Sequence, residues 1–324
     1  MKKNIAIIMG GYSSEYTISI ESGNEVYDAL DKNKFNCYKV LILKNKWVYV
    51  NENNHEENIN KDSFTFKLNN NLIQFDCVFN AIHGSPGEDG VIQKYFSKLK
   101  IPLTGSDYFQ SKITYDKIEC LNYLKKYDIK SADSISLSLN DKIDINEIIS
   151  KVGLPCFVKA SKSGSSYGIT KVYKAEEFEN AFKIAFKVGS NILIESFLDG
   201  IEVSVGVITY NNKTICLPIT EIISQNDFFD YEAKYNGESS EITPARISDE
   251  MKSKVTEESL KIYKTLGLKG ISRSEFIFKN ENPYLLEVNT VPGLTKKSIL
   301  PQQVKSAGIS LADLYENTIN EVLI

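Results

Sequence analysis

The run Ile5–Met9, five consecutive apolar residues closed by Gly10-Gly11, most constrains what this chain can become. A strand that alternates polar and apolar residues can leave one face in water, whereas an unbroken apolar strand must be covered on both faces. Helices have to flank it. The next hundred residues supply them. Ile20, Val26, Ala29 and Leu30 recur near helical spacing over Ser19–Leu30, and Tyr38–Leu43 reads as a second strand. Lys46–Val50 predicts a small extra strand, Asn51–Asp62 a solvated loop, and Phe75–Ile82 another buried strand. A Gly/Pro-rich loop then leads into a helix from about Gly90 to Leu99. Alternation of this kind builds a parallel sheet whose ligands gather at the strands' C-terminal ends.

The pattern changes after residue 105. Helices are expected at Asp116–Tyr127 and at Ile145–Val152, the latter stopped by Gly153-Leu-Pro155. Cys156–Ala160, the Gly/Ser loop Lys162–Gly168 and Ile169–Val172 read as strand, loop and strand, followed by an amphipathic helix at Glu176–Lys187 and a strand at Asn191–Ser196. That hairpin is not the strand–loop–helix of a Walker P-loop. From Phe197 the chain is strand-rich: Glu202–Thr209, Thr214–Ile223, Arg273–Phe278 and Pro283–Val288, with helices at Asp249–Leu266 and Leu311–Leu323. The polar stretch Asp227–Ser240 is longer than an ordinary connection, which marks it as functional or disordered. A length of 324 residues fits several cores. The expected units are 1–105, 106–196 and 197–324.

Composition narrows the function classes. Lys and Arg number 38 against 42 Asp and Glu, a net charge of −4 that disfavours general nucleic-acid binding. No stretch approaches the ~18–20 apolar residues of a spanning helix, so no membrane partner is expected. The five cysteines, Cys37, Cys77, Cys120, Cys156 and Cys216, contain no C-x-x-C pair and read as small hydrophobes rather than a disulfide or zinc framework. The N-terminal IAIIM run enters a Gly-Gly turn without a cleavage-site pattern, which points to a cytoplasmic protein.

The chemistry concentrates near the C-terminus. Ser272-Arg-Ser-Glu275 and Tyr284-Leu-Leu-Glu287-Val-Asn289 sit on consecutive strands joined by the turn Asn280–Asn282. Residues i and i+2 of a strand share a face, so Arg273 with Glu275, and Glu287 with Asn289, can meet across a hairpin. Two carboxylates and an amide oxygen suit Mg²⁺ shared with a polyphosphate. A surface face whose charges merely pair is the alternative, weakened because Arg246 and Arg273 are the only arginines. The following Thr290-Val-Pro-Gly293 turn exposes backbone N–H groups. Lys159 precedes the small-residue loop SKSGSSYG, a candidate phosphate cradle that could equally be an ordinary hairpin. His83, in HGSPGEDG, reads either as a loop histidine bonded to backbone or as a contact for a carboxylate substrate, while Glu15 reads by default as a helix-capping acid.

Taken together, HGSPGEDGVIQ (83–93), VKASKSGSSYG (158–168), DYEAKY (230–235) and EVNTVPGLTKKS (287–298), with GGYSSE at Gly10, resemble the D-alanine–D-alanine ligase family of the ATP-grasp superfamily. The resemblance spans nearly the whole chain. It implies a mixed α/β fold, α+β overall, with three domains: an N-terminal parallel-sheet domain and two antiparallel-sheet domains clasping ATP. It also implies that Lys117 and Lys159 touch the ATP phosphates and that Glu195, Leu198 and Glu202 hold adenine and ribose. Glu275, Glu287 and Asn289 would bind two Mg²⁺ ions, with Mn²⁺ an acceptable replacement. Glu15 would meet the ammonium of the first D-alanine, His83 the substrate, and Ser298 with Ile299 the carboxylate of the second. Arg273 and the Gly293 N–H would stabilise the tetrahedral oxyanion.

Asp227–Ser240 resembles the family's lid, with Lys234 reaching phosphate and Tyr235 hydrogen-bonding Ser165 and so Glu15. The family usually has Asp where Glu275 stands, and Pro where Ala160 follows the phosphate-loop lysine. The implied activity is ATP-dependent synthesis of D-alanyl-D-alanine for peptidoglycan, hence cell wall and cell shape, by a homodimer. Tyr235 after Lys234 favours the amide product over an ester with D-lactate. A ligase using D-serine or D-lactate, or a catalytically silent nucleotide-binding regulator, is the alternative.

Overall fold

The computed structural model describes residues 2–164, 167–224 and 239–323. The chain starts with β1 (Lys3–Gly10), α1 (Tyr16–Ala29), β2 (Phe35–Ile42), β3 (Trp47–Val50) and β4 (Glu56–Asn58). A short hairpin of β5 (Phe66–Leu68) and β6 (Asn71–Ile73) precedes β7 (Cys77–Asn80) and α2 (Val91–Leu99). The first sheet has the order β4-β3-β2-β1-β7, with β1 parallel to both β2 and β7. The unbroken apolar run is therefore covered on both faces. Ile5, Ile7 and Met9 face one core with Val26 of α1, while Ala6 and Ile8 face another with Ile92 and Phe96 of α2.

Next come α3 (Tyr108–Tyr115), α4 (Lys117–Lys125), β8 (Ser134–Ser138), α5 (Ile145–Val152), β9 (Cys156–Ala160), β10 (Thr170–Val172), α6 (Phe178–Val188) and β11 (Asn191–Ser196). Their four strands form an antiparallel sheet, β10-β9-β11-β8, in which the Gly/Ser loop joins β9 to β10 as a hairpin. The last stretch contains β12 (Ile201–Tyr210), β13 (Lys213–Cys216), β14 (Thr220–Ser224), β15 (Ser239–Ile242), α7 (Asp249–Leu266), β16 (Ile271–Lys279), β17 (Asn282–Asn289), α8 (Ile299–Ser306) and α9 (Leu311–Val322). Its sheet runs β15-β14-β12-β16-β17, with β13 also on β12. Ile113, Cys120, Leu121 and Leu124 of α3 and α4 pack into the core of this third sheet. Leu314, Tyr315 and Ile319 of α9 return to the core under β1, tying the C-terminus to the first sheet.

Four details differ from the sequence reading, each for a local reason. The polar stretch Asn51–Asp62 contains β4, an edge strand that pairs with β3 while keeping Glu56 and Asn58 in solvent. The single strand expected at Thr214–Ile223 is two, because Pro218 cannot donate to a ladder and separates β13 from β14. Helix α8 was unmarked because Pro301 argues against a helix; it stands in the first turn, where a backbone N–H has no intrahelical partner to lose. Helix α3 exposes Tyr108 and Phe109, which blurs its apolar period, and the alternation of Ile135 and Leu137 with serines in β8 is too short to stand out from a loop. All five cysteines are free, Cys77, Cys120 and Cys156 buried and the other two half-buried. Burial pushes their thiols up, Cys77 to about 12.

Candidate active site

The β16–β17 hairpin places its polar residues in register. Arg273 stands opposite Asn289, and Glu275 opposite Glu287, with a bulge immediately after Glu275. Bulges re-aim side chains next to functional sites. Arg273 Nη2 donates to Glu275 Oε1 at 2.7 Å, and Lys117 Nζ lies 3.0 Å from Glu287 Oε2. Lys117 also donates to the Ser163 carbonyl at 2.6 Å, so α4, the Gly/Ser loop and β17 meet at one ammonium. Burial alone would lower the Lys117 pKa; Glu287, then Glu195 and Glu275, outweigh it and hold the group above its ordinary value.

Two clefts adjoin this hairpin. One, of about 470 Å³, lies between the second and third sheets and is lined by Lys117, Lys159, Glu195, Leu198, Glu202, Glu275 and Glu287. Phe157, Ile169, Ile277 and Leu286 supply apolar wall, which the sequence reading did not single out. Lys159 and Glu195, both buried, form an ion pair at its back. The second Glu195 oxygen, Oε1, is buried with no hydrogen-bond partner, an acceptor available to a ligand in the cleft. The donor set therefore fits a nucleotide: cations at one end, apolar wall, and an unsatisfied acceptor.

The other cleft, of about 570 Å³, is bounded by Glu15, His83, Arg273, Gly293, Ser298 and Ile299. Glu287 and Gly164 line both clefts, so the carboxylate hairpin stands at their border. Glu15 occupies the N-cap position of α1 yet makes no side-chain cap bond. Its carboxylate lies against Gly164 instead: a Cβ there would sit 2.7 Å from both carboxylate oxygens. Ser298 is likewise the N-cap residue of α8 without a cap bond; its hydroxyl pairs with Thr295 Oγ1 at 2.8 Å and would meet a Cβ on Gly293 at 2.7 Å. Both side chains thus face the cleft rather than closing their own helices.

His83 is enclosed. Its Nδ1 donates to the Val291 carbonyl at 2.8 Å and its Nε2 meets Ser22 Oγ at 2.8 Å, so both ring nitrogens are engaged within the protein. Burial, opposed by Glu15 and helped by Arg273, pushes its pKa down. Glu88 was not chosen from the sequence, although it belongs to HGSPGEDG. Burial first, then the charge of Glu15, pushes its carboxyl up to about 8. Ser165, Lys234, Tyr235 and most of Asp227–Ser240 lie outside the described residues. Among those described, no three His, Cys, Asp or Glu side chains cluster closely enough to hold a metal unaided. An ion at Glu275, Glu287 and Asn289 would therefore complete its oxygen shell from phosphate, as Mg²⁺ commonly does.

Comparison with known proteins decides the family. The D-ala D-ala ligase N-terminus family matches residues 4–106, and the D-ala D-ala ligase C-terminus family matches residues 123–320. The chain belongs to the D-alanine–D-alanine ligase family. It is an ATP-dependent ligase. A D-alanine–D-alanine ligase of Flavobacterium johnsoniae is 57% identical over 317 residues, covering 98% of each chain. One from Christiangramia forsetii is 54% identical, covering 100% of this chain and 99% of the relative. Among solved structures, the VanG D-Ala:D-Ser ligase of Enterococcus faecalis superposes with a TM-score of 0.88 at 29% identity, each chain covered in full. The Bacillus anthracis D-alanine–D-alanine ligase complexed with ATP gives 0.79 at 29% identity, covering 99% of the ligase described here and 97% of its own chain. The ATP-grasp architecture of these ligases accounts for the two antiparallel sheets flanking the cleft lined by Lys117, Lys159 and Glu195.

Proposed function

We propose that this enzyme joins two molecules of D-alanine into D-alanyl-D-alanine for peptidoglycan, at the expense of ATP and through an acyl phosphate. The observation that carries the reading is the placement of Glu287 on the wall of both clefts. A phosphoryl group leaving a nucleotide in the first can there reach a carboxylate in the second. Lys117 and Lys159 neutralise the phosphates, while Glu195, Leu198 and Glu202 hold adenine and ribose. Glu275, Glu287 and Asn289 hold Mg²⁺, which when bound offsets charge on the transferring phosphoryl group.

The remaining steps belong to the chain itself. Glu15 takes the ammonium of the first D-alanine and orients its carboxylate, whose oxygen attacks the γ-phosphorus and expels ADP. Ser298 and the Ile299 N–H, at the N-terminus of α8, receive the carboxylate of the second, where the helix dipole favours an anion. The second amine attacks the acyl carbon; Arg273 and the Gly293 N–H stabilise the resulting oxyanion until phosphate leaves. Lys234, Tyr235 and Ser165 complete the cover that excludes water from the acyl phosphate. His83 lines the substrate cleft with its ring nitrogens engaged by the Val291 carbonyl and the Ser22 hydroxyl. Unit 1–105 supplies Glu15 and His83, unit 106–196 the phosphate lysines and Glu195, and unit 197–324 the metal residues together with Leu198, Glu202, Arg273, Gly293, Ser298 and Ile299.

The enzyme is proposed to be cytoplasmic, where ATP is available; among the described residues no helix is long and apolar enough to cross a membrane. A homodimer is the proposed assembly, readable by sedimentation velocity. Phosphate release with ATP and Mg²⁺ tests the substrate assignment. D-Alanine alone should support turnover with D-alanyl-D-alanine as product. Turnover that requires added D-serine or D-lactate, or nucleotide binding without turnover, would overturn it.

A further inference from the structure

We propose that Glu88, His83 and Ser22 are positioning residues: they clamp the backbone on either side of Gly293 and keep its N–H aimed into the substrate cleft. The inference rests on the reading of Gly293 as an oxyanion donor and adds how that donor is held. Val291 is gripped at both ends of its residue. Its N–H donates to Glu88 Oε1 at 3.2 Å, and its carbonyl accepts from His83 Nδ1 at 2.8 Å. Two residues beyond Pro292, the Leu294 N–H donates to Ser22 Oγ at 3.2 Å, and the Leu294 carbonyl accepts from Tyr315 Oη at 3.2 Å.

With the imidazole neutral, as its burial favours, the hydrogens run in one direction. A carbonyl oxygen accepts, so Nδ1 of His83 carries the hydrogen toward Val291. Nε2 is then an acceptor, filled by the Ser22 hydroxyl at 2.8 Å, and the same hydroxyl oxygen remains open to the Leu294 N–H. Glu88 is itself fixed by a second bond, from the Gly84 N–H to Oε2 at 2.7 Å. Proline has no N–H. Of the four residues Val291–Leu294, Gly293 is thus the one whose backbone N–H takes no partner among the described residues. It lines the cleft, and its lack of a side chain leaves room for Ser298 beside it. An oxyanion donor must be both unpaired and accurately placed, since a misplacement of about 1 Å costs roughly a hundredfold in rate. The clamp comes from α1 and the loop after β7, which are far from β17 in sequence.

The test compares binding of a phosphinate analogue of D-alanyl-D-alanine, whose tetrahedral phosphorus imitates the ligation intermediate, with KM for D-alanine and ATP. Glu88→Gln puts an amide N–H₂ against one of two N–H donors, and Ser22→Ala removes the third anchor with little change of shape. Each is expected to lower kcat and phosphinate affinity by about tenfold or more, with KM for ATP within about twofold and the thermal midpoint retained. Loss of D-alanine affinity at unchanged kcat would make these residues substrate contacts and overturn the clamp. Arg273→Ala separates the two readings. If it weakens phosphinate binding while Glu88→Gln and Ser22→Ala do not, the clamp fails and the oxyanion site stands. If Arg273→Ala leaves phosphinate binding intact, the oxyanion reading fails and the clamp falls with it.

Discussion

Glu15 and Gly164 show how much a single hydrogen can matter at this site. The glycine's missing Cβ is the space into which the Glu15 carboxylate fits. Because the obstructing atoms are the far end of a flexible side chain, Gly164→Ala should fold normally and displace the carboxylate instead. The expected result is a KM for the first D-alanine raised about tenfold at an unchanged melting temperature, since one lost charge-assisted contact is worth ~1.5–3 kcal/mol. An unchanged KM would separate Glu15 from the ammonium. Glu88 adds a pH signature. Its folded-state pKa of about 8 lies above its ordinary value of 4.5, so the proton is bound more tightly in the folded protein. The stability this contributes is complete below about pH 4.5 and is lost as pH rises through about 8. Wild type should therefore lose stability relative to Glu88→Gln between pH 5 and 9, and a constant difference in melting temperature would contradict the assignment.

Among the elements, the β16–β17 hairpin was the most legible, and for a stated physical reason. Side chains two apart on a strand share a face, and the short turn fixes the register, so Arg273, Glu275, Glu287 and Asn289 could be paired from spacing alone. Helix α8 was not legible, because its evidence is tertiary. Gln303 on α8, fully buried, donates to the Ser204 carbonyl at 2.8 Å and to Thr220 Oγ1 at 3.0 Å, binding the helix to β12 and β14. A Cβ on Gly206 of β12 would sit 2.5 Å from Gln303 Oε1 and 2.9 Å from Leu300 Cδ1. Gly206→Ala should push α8 outward, costing ~1–3 kcal/mol by overpacking and raising KM for the second D-alanine more than for ATP. Equal KM values would detach Ser298 and Ile299 from that substrate. The clamp on Val291 was equally hidden: HGSPGEDG could be recognised as a motif, but which backbone its His83 and Glu88 reach depends on how distant strands pack.

On the scale of the whole molecule, the cleft between the second and third sheets and the cleft lined by Glu15, His83 and Ser298 share one wall, the β16–β17 hairpin. Glu287 stands on it, 3.0 Å from Lys117 and opposite Glu275. The parallel-sheet character of the first hundred residues was legible in their strand–helix alternation and the three-domain fold in the family resemblance, whereas the apolar lining of the first cleft was not, because Ile277 and Leu286 look like any strand residues until two sheets face each other. If the shared wall is where phosphoryl transfer is organised, substrate-dependent ATP turnover must fail when its carboxylate loses charge. The most direct measurement is phosphate release and D-alanyl-D-alanine formation by Glu287→Gln with ATP, Mg²⁺ and D-alanine. The expected result is loss of both by about 10²-fold or more with the fold intact. Wild-type turnover by Glu287→Gln, with one phosphate released per dipeptide, would contradict the account.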